Sequence, residues 1–286
     1  MKVFECLNNE RPTNTFLTIV RNIHQGDSLS QICDDEGKEF ESETARNTYI
    51  ANYYGKLYNR DESETVEEGC IETFLGDNIV NSELVRNSKL TDQEKNLLDS
   101  PLTLEELDSS LGKANFKSAP GIDGYSNKAI SKCWQYIRVP LLNYSNYCFN
   151  TGTLTNSFRS ATIRLIPKKG DKKKIQNWRP ISLLSNVYKV ISRTINIRLK
   201  KITARVFSRA QKGFTSNRYT QEVLINILET MAHCRSTGEK GVIVAADMAK
   251  AFDCLSHRFS DLALRFFGFG DNIRRWIQLI STYRQA

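Results

Sequence analysis

A carboxylate at the end of an apolar run is the residue of this chain best placed to do chemistry. Asp247 follows Val242-Ile-Val-Ala-Ala246, and the continuous run GVIVAAD over 241–247 predicts a strand buried on both faces. An ionised carboxylate at the edge of such a strand costs on the order of several kcal/mol unless it meets a cation, a metal or a donor. Mg²⁺, a hard ion held by carboxylates together with substrate phosphates, is one solution, and capping of the following turn is the other. Phe252 stands five positions on, after Ala251. An aromatic ring there can lie flat beneath a sugar and exclude a 2′-hydroxyl, or can simply pack in a core. Asp253 reads as a hydrogen-bonding or helix N-terminal acid rather than a ligand.

Cations form the second constellation. Arg164, Lys168 and Arg179 flank the loop KKGDKKKIQNWR, 168–179. A strand that ends in Pro167-Lys168 and returns through Trp178-Arg179 has hairpin geometry, which can lay cations over a triphosphate. Lys172, Lys173 and Lys174 fit a solvated loop better than the two ends do. Gln211-Lys-Gly-Phe214, with Arg218 beyond, is a tight turn beside an aromatic, suited to contacting a backbone or a base.

The elements that must position these groups follow from periodicity and caps. Thr103-Leu-Glu-Glu106 is a capping box for a helix with Leu104, Leu107 and Leu111 on one stripe and Gly112 as its stop. SAPGIDG, 118–124, is a turn-rich loop. A helix is expected from Ser126 to Tyr147, with Ile130, Cys133, Trp134, Ile137, Leu141 and Leu142 inward and Gly152 closing it. Alternation over Ser160–Pro167 predicts a strand. Ser185 is expected to cap a long helix with Val187, Val190, Ile191, Ile195 and Leu199 inward and Lys189, Arg193, Lys200 and Lys201 outward. A helix over Thr220–His233 should bury Val223, Leu224, Ile227, Leu228 and Met231, and two more are expected at about 256–267 and 271–282. The acidic stretch DESETVEEGCIETFLGD, 61–77, reads as a linker.

Composition narrows the class. The chain has 286 residues, 40% hydrophobic and 25% charged, which suits one large packed domain or two small ones. No apolar stretch reaches the length of a membrane span, and the N-terminal residues lack the apolar block of a signal peptide. Seven cysteines without a Cys-x-x-Cys pair argue against a disulfide framework or zinc ribbon. An intracellular protein of cytoplasm or nucleus, with no membrane partner, is the expectation. Residues 1–100 carry 10 basic against 20 acidic residues, whereas residues 159–218 carry 17 basic residues against the single acid Asp171. Self-repulsion of that density points to nucleic acid or nucleotide phosphates as the partner.

KSAPGIDG (117–124), RLIPKKGD (164–171), NWRPISLLSNVYKVISRTINIRL (177–199), QKGFTSNRYT (211–220) and AADMAKAFD (245–253) occur in this order. The series closely resembles the reverse transcriptases of non-LTR, LINE-like retrotransposons, over about residues 100–286. The resemblance implies a mixed α/β (α+β) fold, a partial right-hand polymerase with helical fingers, a β-hairpin and the first palm strand, the thumb absent. It divides the chain into an acidic, partly helical spacer (1–100), fingers (101–235) and a truncated start of the palm (236–286).

The resemblance also implies roles. Asp247 is similar to the first catalytic aspartate of the palm and a ligand of Mg²⁺, with the Met248 carbonyl offered to the second ion. Phe252, beside Ala251 in the nucleotide site, is similar to the steric gate that selects deoxynucleotides. Lys168 and Arg179 are similar to the fingers residues that hold the incoming dNTP. Gln211, Gly213, Phe214 and Arg218 fall in a block that shapes the fingers near template and nucleotide. An RNA template and a DNA primer are the implied partners, and the implied reaction is two-metal phosphoryl transfer. The aromatic-x-Asp-Asp box of such enzymes does not follow Asp247, and Asp34-Asp35 in QICDDEGK reads as a turn. The expectation is therefore an incomplete polymerase that incorporates no nucleotide alone. A non-catalytic nucleic-acid-binding module is the alternative, and a group II intron maturase or telomerase-like protein a third.

Overall fold

The computed structural model describes residues 29–58, 66–248 and 255–281. Its helices are α1 (Glu43–Tyr58), α2 (Cys70–Leu75), α3 (Asp77–Val80), α4 (Glu83–Ser88), α5 (Asp92–Asp99), α6 (Leu104–Gly112), α7 (Asn127–Thr151) and α8 (Asn156–Arg159). The strands β1 (Thr162–Pro167) and β2 (Trp178–Leu183) follow, then α9 (Asn186–Val206), α10 (Gln221–Thr237), α11 (His257–Phe266) and α12 (Asp271–Ser281). The fold is mixed and mainly helical, with one two-stranded antiparallel sheet among the described residues. The described residues divide into two packing units, one of 29–58 with 163–182 and one of 66–162 with 183–248 and 255–281.

In the larger unit, α9 is the central helix and packs against α4, α5, α6 and α7. Its buried stripe is Tyr188, Val190, Ile191, Thr194, Ile195, Arg198, Ile202 and Val206, each fully buried aliphatic contributing roughly 1.5–3 kcal/mol. Local signals set the helix ends. Thr103 Oγ accepts the Glu106 amide at 3.3 Å while Glu106 accepts the Thr103 amide at 3.0 Å, the expected capping box. Ser126 caps α7, and Gly152 (φ +69°) closes it by donating to the Cys148 carbonyl. Cys133, expected inward, is exposed. Ser185 does not cap α9, because its hydroxyl donates to Asp123 at 2.7 Å instead.

Long-range packing departs from expectation more. The supposed linker 61–77 contains α2, with Ile71 buried, and ends where α3 begins. Helix α10 forms where its pattern placed it, but its stripe is bare, with Val223, Leu224, Leu228 and Met231 all exposed and nothing on the helix fully buried. Residues 241–248 form no strand, and Val242 and Val244 are 89% and 83% exposed. A strand needs a neighbour for its backbone groups, and the described residues hold no strand beside it. The loss is confined, because α11 and α12 beyond it are ordered helices and Ile273 and Trp276 are buried against α5 and α7.

The smaller unit joins residues far apart in sequence. Ile32, Tyr54 and Leu57 share a core with Ile175 and Trp178, so part of the acidic N-terminal region packs on the β1–β2 hairpin. Asp34 and Asp35 lie in a turn, as expected: Asp34 Oδ1 accepts the amides of Glu36 and Lys38, and Asp35 accepts the Tyr49 hydroxyl at 2.9 Å. Burial, reinforced by the Asp35 carboxylate, pushes Tyr49 up to about 12.

Candidate functional site

The hairpin appears where alternation placed it. The burial of β1 alternates residue by residue, with Arg164 on the exposed side and Leu165 on the covered one. At the mouth of the hairpin the Lys168 amide donates to the Asn177 carbonyl at 2.6 Å, and Lys168 Nζ donates to the Gln176 carbonyl at 3.1 Å. The Lys168 side chain is half-buried and Arg179, next to the fully buried Trp178, is exposed. Both expected clamp cations therefore stand on one hairpin, in the smaller unit. Lys172, Lys173 and Lys174 project into solvent.

The QKGF block has a different construction from the simple glycine turn its sequence suggests. Gly213 has no left-handed backbone, whereas Phe214 (φ +60°) and Asn217 (φ +59°) do, a conformation that costs a bulky residue strain. Phe214 is 93% exposed. Gln211 Nε2 donates to the Gly213 carbonyl at 3.1 Å. Arg218 is turned inward on the block: its guanidinium donates to the carbonyls of Ala204, Phe207, Ser208 and Gln211, closing the C-terminal end of α9. Its place is that of a structural clamp on this loop.

Asp247 is exposed on the irregular segment 241–248, and Met248 is 78% exposed. The expected buried edge acid is thus not observed, since the strand meant to bury it does not form. Ala251, Phe252 and Asp253 lie outside the described residues. Upstream, Val242 and Ile243 line one side of an open groove of about 1030 Å³, with Val223, Ile227 and Met231 of α10 on the other. Among the described residues no group of three or more His, Cys, Asp or Glu side chains could hold a metal.

Two of the cations expected to face outward on α9, Lys189 and Arg193, are instead half-buried. The SAPGIDG loop is seated on the start of α9: a Cβ at Gly121 would fall 2.5 Å from the Leu184 carbonyl group and the Ser185 amide, and Asn186 donates to the Tyr125 carbonyl at 2.8 Å. Beside it are Lys189 and Arg193, half-buried and one turn apart. Lys189 donates to Asn186 at 3.2 Å and Arg193 to the Ser110 carbonyl at 3.1 Å. Burial, and for Lys189 also the Arg193 charge, holds both below their usual ranges, with Asp123 opposing the shift at Lys189.

Comparison with known proteins adds the following. Residues 166–285 match the family model described as reverse transcriptase (RNA-dependent DNA polymerase). The chain is 28% identical over 236 residues to the transposon TX1 uncharacterized 149 kDa protein of Xenopus laevis, covering 82% of this chain and 17% of that protein. It is 31% identical over 180 residues to the retrovirus-related Pol polyprotein from type-1 retrotransposable element R2 of Popillia japonica, covering 62% and 24%. It is 29% identical over 161 residues to the RNA-directed DNA polymerase from mobile element jockey of Drosophila melanogaster, covering 55% and 18%. The chain spans less than a quarter of the length of these curated relatives.

Proposed function

We propose that this chain, whose residues 166–285 match the reverse transcriptase family model, supplies fingers and early palm to an RNA-directed DNA polymerase of a LINE-like retrotransposon. The observation that carries the proposal is a family match that runs from the hairpin cations through AADMAKAFD, with Asp247 inside it. In this reading the fingers are residues 101–235, the palm begins at 236, and the chain handles an RNA template, a DNA primer and dNTPs.

Lys168 and Arg179 bind the triphosphate. Trp178 anchors the backbone beside Arg179, and the Gln176 carbonyl orients the Lys168 ammonium. Phe214 and Gln211 face template or nucleotide, Gly213 gives the backbone between them its close approach, and Phe252, beside Ala251, excludes ribonucleotides. Mg²⁺ is the cofactor implied for Asp247. One carboxylate and the Met248 carbonyl do not by themselves fit a two-ion centre, so no step is assigned to the metal.

Charge reversal at the clamp tests the assignment. Lys168→Glu with Arg179→Glu is expected to weaken binding of a fluorescent dNTP roughly tenfold or more, because charge-assisted phosphate contacts are lost. Lys173→Glu with Lys174→Glu should change it far less, and equal losses would reduce the loop to unspecific electrostatics. The exposure of Asp247 favours a second reading, a nucleic-acid-binding module without catalysis. On either reading the 286-residue chain yields no product in primer extension with Mg²⁺ and dNTPs, and template-dependent synthesis would overturn that expectation.

A further inference from the structure

Lys168, Lys169, Lys172, Lys173 and Lys174 fall within seven residues, and their repulsion opposes any single loop shape. The backbone of the loop is nevertheless tied down from within and from far upstream. Within it, Asp171 Oδ1 accepts the Lys173 amide at 2.9 Å, Asn177 Nδ2 donates to the Asp171 carbonyl at 2.8 Å, and the Trp178 indole donates to the Lys172 carbonyl at 2.9 Å. From upstream, the Cys33 amide donates to the Lys173 carbonyl at 2.9 Å and the Tyr54 hydroxyl to the Trp178 carbonyl at 3.4 Å. Ile175 and Trp178 are 1% and 2% exposed, packed against Ile32, Tyr54 and Leu57. Carbonyls and apolar side chains turn inward, while Lys173 and Lys174 are exposed residues.

We infer that residues 29–58 are a positioning platform for the cationic loop, with Ile32 and Tyr54 as its positioning residues and single-stranded nucleic acid as the ligand the loop is shaped for. By holding Ile175 and Trp178 in a core, the platform fixes where the neighbouring lysines and Arg179 point, so the ordering cost is met in folding rather than in binding. This assigns a role to part of the acidic N-terminal region. It rests on the reading of the hairpin as a phosphate-binding element.

The test is a double-mutant cycle in the 286-residue chain, read by anisotropy of a fluorescein-labelled oligouridylate. Tyr54→Ala is expected to weaken binding about tenfold through lost pre-organisation, with Tyr54→Phe restoring most of the affinity. Lys172→Ala with Lys173→Ala should cost much less affinity in the Tyr54→Ala background than in the native one. A merely structural role would leave that difference at zero. Ile32→Val repeats the cycle with a milder cavity should Tyr54→Ala unfold the unit, and circular dichroism reports the helices throughout. If the lysine pair costs equal affinity in both backgrounds, the platform idea is wrong while the loop's role stands. If the pair costs nothing in the native chain, the loop does not hold single-stranded nucleic acid and the platform idea falls, while the Lys168–Arg179 clamp is judged separately by dNTP binding.

Discussion

Arg198→Ala is expected to destabilise the larger unit by roughly 3–5 kcal/mol, the range for removing one partner of a buried ion pair. The Arg198 side chain is 3% exposed and sits mid-way along α9. Its guanidinium meets both oxygens of Glu106 at 2.6 Å and donates to the carbonyls of Leu98, Ser100 and Pro101, tying the α5–α6 connection to the central helix. Truncation leaves a carboxylate and three carbonyls without their donor. Arg198→Lys keeps the charge but lacks the planar fork, and should recover only part of the loss. Burial pushes the Glu106 carboxyl up, yet Arg198 and the Thr103 amide outweigh it and hold the group below the ordinary carboxylate range. Stability from this pair is then present above the unfolded carboxylate pKa and lost as pH falls through the lower folded value. Urea melts should show the gap between native chain and variant closing in acid. A gap that stays constant with pH, or stays under about 1 kcal/mol as for a surface pair, would refute the assignment.

The second large effect is ionic. Binding of single-stranded nucleic acid should fall steeply with salt, because each neutralised single-strand phosphate adds about −0.7 to the logarithmic slope. Six such contacts give a slope of about −4, or a loss of several hundredfold between 50 and 200 mM salt. The structure also corrects the count behind that figure. Of the 17 cations in 159–218, Lys168, Lys189, Arg193, Arg198, Arg205, Lys212 and Arg218 donate to internal partners. Arg164, Lys169, Lys173, Lys174, Arg179 and Lys200 are among the exposed ones. A slope near −1 in an anisotropy titration would mean that this basic stretch does not track a polyanion.

What was legible in the sequence was local. The Thr103–Glu106 box, the Ser126 cap, the Gly152 stop and the β1 alternation depend on residues a few positions apart, and each appears where expected. Arg198 was missed because an arginine between two inward positions reads as a solvated side chain until its carboxylate, 92 positions upstream, is known. Ser185 carries a cap signature that is overridden by Asp123, 62 positions away. The stripe on α10 and the run at 241–247 show apolar character, but character alone does not supply the surface that covers it. For the site, Lys168 and Arg179 lie on the hairpin that alternation predicts. The environment of Asp247 was not, since it required a strand partner that pattern reading assumed.

The pairing of residues 29–58 with the hairpin has a consequence for biosynthesis. Trp178 emerges roughly 120 residues after Tyr58, about 6–24 s later at ordinary translation rates. Through that interval Ile32, Tyr54 and Leu57 of the nascent chain have no Ile175 or Trp178 to close upon, and α1 waits on the ribosome as a sticky, half-made surface. The order of synthesis thus places a demand on chaperones at the front of this chain that a contiguous unit of the same size would not impose.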